Sequence, residues 1–159
     1  MKHVVGISEM KVSDNPEDVI ITYSLGSCIG LALYDPRIRV GGLIHCMLPL
    51  SKIDPARAVD RPCMFTDTGV PRLIMTLLGM GADKRSLVAT VAGAAHLLDN
   101  QNQFNIGERN HVVLRKLLWK NSILISAEDI GGTMARTMTL NLESGLTTLR
   151  SGGKEYELR

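Results

Sequence analysis

Cys28 follows a Leu25-Gly26-Ser27 turn, and His45 comes one β-hairpin's length later. A free thiol is only slightly ionised at neutral pH. It becomes a useful nucleophile when a base within hydrogen-bond reach takes its proton, and an imidazole suits that task. The stretch from Thr22 to Leu48 therefore reads as a candidate cysteine–histidine hydrolase centre.

For the two side chains to meet, the chain between them must double back. Cys28 to Tyr34 has strand character, Asp35-Pro36-Arg37-Ile38 has turn composition, and Val40 to Leu48 is a second apolar run, which together predict an antiparallel hairpin. With the loop centred between Pro36 and Arg37, Cys28 falls directly opposite His45, on one face with Cβ atoms about 4.5–5.5 Å apart. The pairing is conditional on that register. Pro36-Arg37 is not a favoured two-residue loop, Gly41-Gly42 offers a site for a bulge, and a one-residue slip turns His45 to the opposite face.

Alternation along a strand also argues against a rival centre. Cys46 adjoins His45, and successive strand side chains point to opposite faces, so the two should not share a site. Cys63 lies in Pro62-Cys63-Met64 with no second cysteine at short spacing. Zinc binding through three cysteines and a histidine has weak support beside the reading of reduced thiols.

The elements that would position these residues can be laid out along the chain. Val4 to Met10 and Val19 to Leu25 read as strands separated by Ser13-Asp14-Asn15-Pro16. Ser51 to Pro62, with prolines, aspartates and arginines but no periodicity, reads as a surface loop beside the candidate site. Val70, Leu73, Ile74, Leu77 and Leu78 fall at helical spacing within Thr66 to Met80, with Thr66, Asp67 and Thr68 as N-capping oxygens and Pro71 in the first turn. Leu87 to Val91 predicts a buried strand leading to Gly93-Ala94-Ala95-His96, followed by a polar loop over Asp99 to Gln103. A second helix is expected from Asn105, with Glu108 in the capping-box position, Val113, Leu114, Leu117 and Leu118 inward, and Trp119 packed near its end. Ile123 to Ile130, Met134 to Leu142 and Leu146 to Leu149 are further strands, with Gly131-Gly132 and Ser144-Gly145 as turns. The glycine-rich polar segment 151–159 reads as a mobile tail. Strands outnumber helices, without the regular βαβ alternation of a doubly wound sheet.

Composition bounds the rest. The chain has 159 residues, 45% hydrophobic and 21% charged, enough for one well-buried α/β domain spanning 1–150. A formal net charge of +2 with no dense Lys/Arg block gives nucleic acid no electrostatic footprint. The amino terminus lacks a signal-peptide pattern, and no run of about 18 apolar residues is present, so a protein without membrane insertion is expected. Three cysteines at irregular spacing fit reduced thiols in the cytoplasm.

Several motifs now combine. Thr22-x-x-Leu25-Gly26-Ser27-Cys28, His45-x-Met47-Leu48-Pro49, Phe65-Thr66-Asp67-Thr68 and Asn105-Ile106-Gly107-Glu108-Arg109-Asn110 resemble the chemoreceptor glutamine deamidases of bacterial and archaeal chemotaxis, the CheD family. The resemblance runs from Val5-Gly6-Ile7 to about Gly145. It implies hydrolysis of selected glutamine side-chain amides on methyl-accepting chemoreceptors, through a cysteine thioester and without metal or organic cofactor. Cys28 would be the nucleophile, His45 the acid and base, and Thr22 the third member that orients the imidazole. Gly26 and Ser27 would shape the turn that aims backbone N–H groups at the oxyanion, with the Cys28 amide as first candidate. The implied fold is α/β, a single domain of layered mixed β-sheets with flanking helices, like the cysteine-hydrolase fold shared with certain deamidating toxins. Two segments depart from the family pattern. Val91 to His96 replaces a usual double glycine, and Gly131 to Arg136 lacks the usual asparagine and second glycine; both bear on substrate or partner choice more than on chemistry.

Blander roles stand beside these. A cysteine at a strand start is commonly a small buried residue, and a half-buried histidine is commonly a satisfied one. His96, His3 and His111 read as structural or surface histidines, and Glu128 and Asp129 as solvated turn acids. A regulatory binding protein that docks a CheC-type phosphatase or a receptor is the alternative from another class, and hydrolysis of glutamate methyl esters is a third reading of the same centre.

Overall fold

The computed structural model describes residues 1–96 and 105–158. Among the described residues, ten strands form two five-stranded mixed sheets. The first sheet has the order β1 (Lys2–Val5), β3 (Val19–Leu25), β8 (Arg136–Asn141), β9 (Thr147–Ser151), β10 (Lys154–Leu158). The second has the order β2 (Glu9–Ser13), β5 (Val40–Cys46), β4 (Ile29–Asp35), β6 (Val88–Gly93), β7 (Ile125–Ile130). Helices α2 (Thr66–Gly79) and α3 (Ile106–Lys120) cover the far face of the second sheet. The expected layered mixed sheets with flanking helices are what the chain forms.

The layering explains the sequence patterns. β4 and β5 are buried along their whole length, because one face meets the first sheet and the other meets the helices. Such strands read as continuous apolar runs rather than alternating ones. Leu31, Leu33, Ile44 and Cys46 pack under Leu73 and Leu77 of α2 and Leu114 and Leu118 of α3. Ala32, Tyr34 and Leu43 face the other way, against Ile20, Leu25, Met138 and Leu140 of the first sheet. Each fully buried leucine or isoleucine contributes about 1.5–3 kcal/mol of transfer free energy.

The region expected as one strand from Val4 to Met10 is a corner. Ser8 adopts φ 65°, and the chain leaves β1 in the first sheet to become β2 in the second. Ser51 to Pro62, expected as a loop, contains helix α1 (Pro55–Asp60), started by Pro55 at its first turn and by the Asp54 carboxylate accepting from Arg57 N. Six residues are too few to show periodicity, but Asp-Pro is a helix-start signal that composition obscured.

The carboxy-terminal segment is a correction too. Residues 154–158, read as part of a mobile tail, form β10, paired antiparallel with β9 and closing with Leu158 in the core between the sheets. Gly152 and Gly153, both at positive φ, make the hairpin turn that glycine richness disguised as flexibility. Trp119 is not packed at the end of α3 but 81% exposed. The polar loop expected over Asp99 to Gln103 lies outside the described residues. The helices also begin differently: neither Phe65 before α2 nor Asn105 before α3 makes a side-chain cap.

Candidate functional site

The β4–β5 hairpin has a four-residue loop, with Asp35 paired to Val40 and Arg39 N donating to Asp35 O at 2.8 Å. Arg39 supplies the positive φ that the turn needs. This register puts Gly30, not Cys28, opposite His45, and Ile29 opposite Cys46. Cys28 therefore sits two positions along from the expected partner. A two-residue change conserves the face, since side chains alternate with period two. Cys28 packs against the cluster between the sheets, the side toward which His45 points. Gly41 and Gly42 carry no bulge; β5 pairs regularly with β4 and with β2.

His45 is fully buried and meets Thr22 across the gap between the sheets, with Oγ1 2.7 Å from Nδ1. The Thr22 hydroxyl has one proton, and it donates that proton to Val5 O at 2.8 Å. The imidazole must then be the donor in the second bond, so Nδ1 carries hydrogen and Nε2 carries the lone pair. Nε2 has no hydrogen-bond partner among the described residues. The β1–β2 corner braces both groups, because Val5 O holds the threonine and Ser8 N donates to His45 O at 2.9 Å.

Burial sets the charge state. It lowers the His45 pKa to about 4 and pushes the Cys28 thiol up to about 11, the latter against a small lowering by a backbone hydrogen bond. The resting pair at neutral pH is a neutral thiol and a neutral imidazole. An imidazole with a free Nε2 lone pair can accept a thiol proton as the sulfur attacks, and return it to a leaving group.

The loop before Cys28 is held through consecutive carbonyls. Gly26 O accepts from Ala95 N at 2.8 Å, Cys28 O accepts from Ala94 N at 2.9 Å, and Ser27 O accepts from Asn110 Nδ2 at 3.1 Å. Gly93 makes this possible. It adopts φ 107°, and a Cβ there would lie 2.4 Å from Cys28 O. The Val91–His96 segment that departs from the family pattern thus touches the candidate nucleophile loop directly, and Arg136 from the second such segment braces it by donating from Nη1 to Gly93 O at 3.2 Å. Sequence reasoning placed this region away from the chemistry; only the double-glycine comparison hinted at it. Asn110 was visible in the motif opening α3, but nothing in its spacing gave it a partner.

The remaining candidates separate from this centre. Cys46 lies on the helix-facing side, its thiol pushed up by burial, and Cys63 lies in the same cluster. His3 bonds Asp18 at 2.8 Å, His111 bonds Glu128 at 3.0 Å, and His96 is exposed. Asp129 accepts from Arg136 and from the Tyr156 hydroxyl, a tie between β7, β8 and β10 rather than a solvated turn. No group of three or more metal-ligating side chains is assembled among the described residues. Nor is any described helix long and apolar enough to cross a membrane.

Comparison with known proteins bears on what this centre is. The CheD family model, described as chemotactic sensory transduction, matches residues 47–151. A probable chemoreceptor glutamine deamidase CheD of Solibacter usitatus is 49% identical, covering 98% of this chain and 92% of that protein. A second from Syntrophus aciditrophicus is 45% identical over 94% of each. The chemoreceptor glutamine deamidase CheD of Thermotoga maritima is 38% identical, covering 100% of this chain and 99% of that protein. On the family model and on these relatives, which align nearly end to end, the chain belongs to the CheD family.

Proposed function

We propose that this protein is a chemoreceptor glutamine deamidase, a protein-glutamine glutaminase that converts glutamines of methyl-accepting chemoreceptors to glutamates. The observation that carries the reading is the Thr22–His45 bond, whose direction leaves Nε2 as a free base on the side where Cys28 packs. The names of the relatives supply the substrate class.

In this mechanism His45 Nε2 takes the Cys28 thiol proton as the sulfur attacks the glutaminyl carbonyl carbon. The carbonyl electron pair moves to oxygen, where the Cys28 N–H, aimed by the Gly26-Ser27 turn, receives it. The pair returns to carbon, the C–N bond breaks, and ammonia leaves with the proton from His45. A water molecule then gives its proton to Nε2 and attacks the thioester. The C–S bond breaks, the thiol is restored, and glutamate is released. Thr22 keeps the imidazole in the tautomer this cycle needs. We place the reaction in the cytoplasm, where reducing conditions keep all three cysteines as the free thiols seen here. A CheC-type phosphatase is proposed as a second partner on the family resemblance alone.

The test is mass spectrometry of a chemoreceptor cytoplasmic fragment incubated with the native protein or with Cys28→Ala. The expected result is a gain of about one dalton per converted glutamine, absent with the variant, as thiol-mediated acyl hydrolysis requires. A gain that persists with Cys28→Ala overturns the nucleophile. No gain with either protein overturns the deamidase. A methyl-esterified fragment in parallel reports ester hydrolysis by its mass loss.

A further inference from the structure

Asn110 is fully buried at the start of α3, yet its amide faces the candidate active site. One turn earlier Gly107 brings the helix directly onto the backbone of Ala94 and Ala95, where a Cβ would lie 2.7 Å from Ala94 O. That approach delivers the Asn110 side chain between two segments. Its Nδ2 donates to Ser27 O at 3.1 Å and to Met47 O at 3.2 Å, and its Oδ1 accepts from Thr66 Oγ1 at 3.2 Å. Both amide hydrogens are used, and the two carbonyls, which can only accept, fix which end of the amide is which; Thr66 Oγ1 shares its one proton between Asn110 Oδ1 and Leu48 O, each at 3.2 Å.

The two carbonyls are significant. Ser27 O belongs to the same planar peptide as the Cys28 N–H, and in a trans peptide the two point in opposite directions. Holding one aims the other. Met47 O lies two residues beyond His45, just past the end of β5. A single side chain thus joins the loop before Cys28 to the strand end that carries His45.

On the deamidase reading above, we propose that Asn110 is a positioning residue: it aims the Cys28 N–H at the oxyanion and sets the nucleophile loop against the histidine strand. It touches no reacting atom. Thr66, through its hydroxyl, holds Asn110 in the orientation this requires.

Two reactions of Cys28 separate this role from general support of the fold. Deamidation passes through an oxyanion, whereas alkylation by iodoacetamide displaces iodide from a methylene carbon and forms none. With Asn110→Ala, kcat for deamidation is expected to fall about ten- to hundredfold, the scale of a misaimed oxyanion donor, with KM within about twofold. The Cys28 alkylation rate should stay within about twofold of native. Thr66→Val should lower kcat several-fold in the same manner, and Thr66→Ser should restore it. Unchanged kcat in folded variants, or alkylation falling in parallel with deamidation, overturns the proposal. If Asn110→Ala does not fold, the Thr66 pair decides by the same criteria. A native protein no more active than Cys28→Ala overturns the deamidase reading itself, and the Asn110 proposal falls with it; a fully active Asn110→Ala overturns the Asn110 proposal alone.

Discussion

Thr22 and His45 lie on different sheets, and their 2.7 Å hydrogen bond has a fixed direction because the threonine's own proton is committed to Val5 O. Removing the hydroxyl while keeping the shape isolates that relationship. Thr22→Val should strand the Nδ1 hydrogen and Val5 O in a dry gap, at a cost of about 1–3 kcal/mol in urea unfolding. It should also let the imidazole place its proton on Nε2, where no thiol proton can be accepted. Deamidation is expected to fall at least about a hundredfold, the lower end of what a lost base contributes. Thr22→Ser should retain most of both. Full activity in Thr22→Val would sink the tautomer argument.

The depressed His45 pKa has a consequence for stability. An unfolded histidine takes up its proton near its ordinary 6.5, while the folded one does so near 4. Between those values the unfolded state binds more protons, so stability rises with pH across the window and is lost as pH falls from 6.5 to 4. The whole shift corresponds to roughly 3 kcal/mol. Denaturant midpoints measured at several pH values should fall across this window in the native protein and less so in His45→Gln. Asp18 does not confound the comparison. Bonds from Ser13, His3 and the terminal amine hold its carboxyl below the ordinary carboxylate range, so its stabilisation is lost only at still lower pH.

The raised Cys28 thiol makes a separate prediction. With the thiol at about 11 and the imidazole uncharged, the resting site holds no thiolate–imidazolium pair. Alkylation of Cys28 by iodoacetamide should therefore climb about tenfold per pH unit through the alkaline range, following the thiolate fraction. A plateau near neutrality would instead mark a preformed ion pair and reverse this account.

The residues proposed to do the chemistry were legible because hairpin alternation depends only on period two. Cys28 and His45 were assigned to one face, and that survived a two-residue error in register; the error came from centring the loop at Pro36-Arg37, when Asp35 and Arg39 close a longer turn. Long, strongly patterned elements such as α2 and β3 were equally readable. What failed was short or tertiary in origin. The Gly6-to-Ser8 corner, the six-residue α1 and the β10 hairpin each hide in a composition that also describes a loop. The Asn110 bridge and the Gly93 contact join segments far apart in sequence, and no local pattern encodes a distance between them.

Opposite faces of β5 should give opposite results on substitution. Cys46 packs beneath α2, with its Sγ 3.3 Å from where a Cβ on Gly69 would stand, and takes no part in the gap between the sheets. Cys46→Ala is expected to cost about 1 kcal/mol as a small cavity and to keep deamidation within about twofold of native. Loss of activity in a folded Cys46→Ala would mean that the helix-facing layer contributes to the site.

Gly93 tests how closely the nucleophile loop is seated. Gly93 and Gly131 both adopt positive φ, but a Cβ at Gly131 meets nothing within 4 Å, whereas one at Gly93 lies 2.4 Å from Cys28 O. Gly131→Ala should therefore show the backbone cost alone, about 1–2 kcal/mol. Gly93→Ala carries that cost and must also push the Cys28 carbonyl off Ala94 N, adding about 1–3 kcal/mol of overpacking. The displaced peptide also carries the chain into Cys28, so kcat should drop by an order of magnitude or more in Gly93→Ala, on the scale of a misplaced reacting group. Gly131→Ala should remain active. Chemical denaturation and turnover of both variants check the pair, and equal penalties in stability and rate would show that the carbonyl contact does not hold the loop.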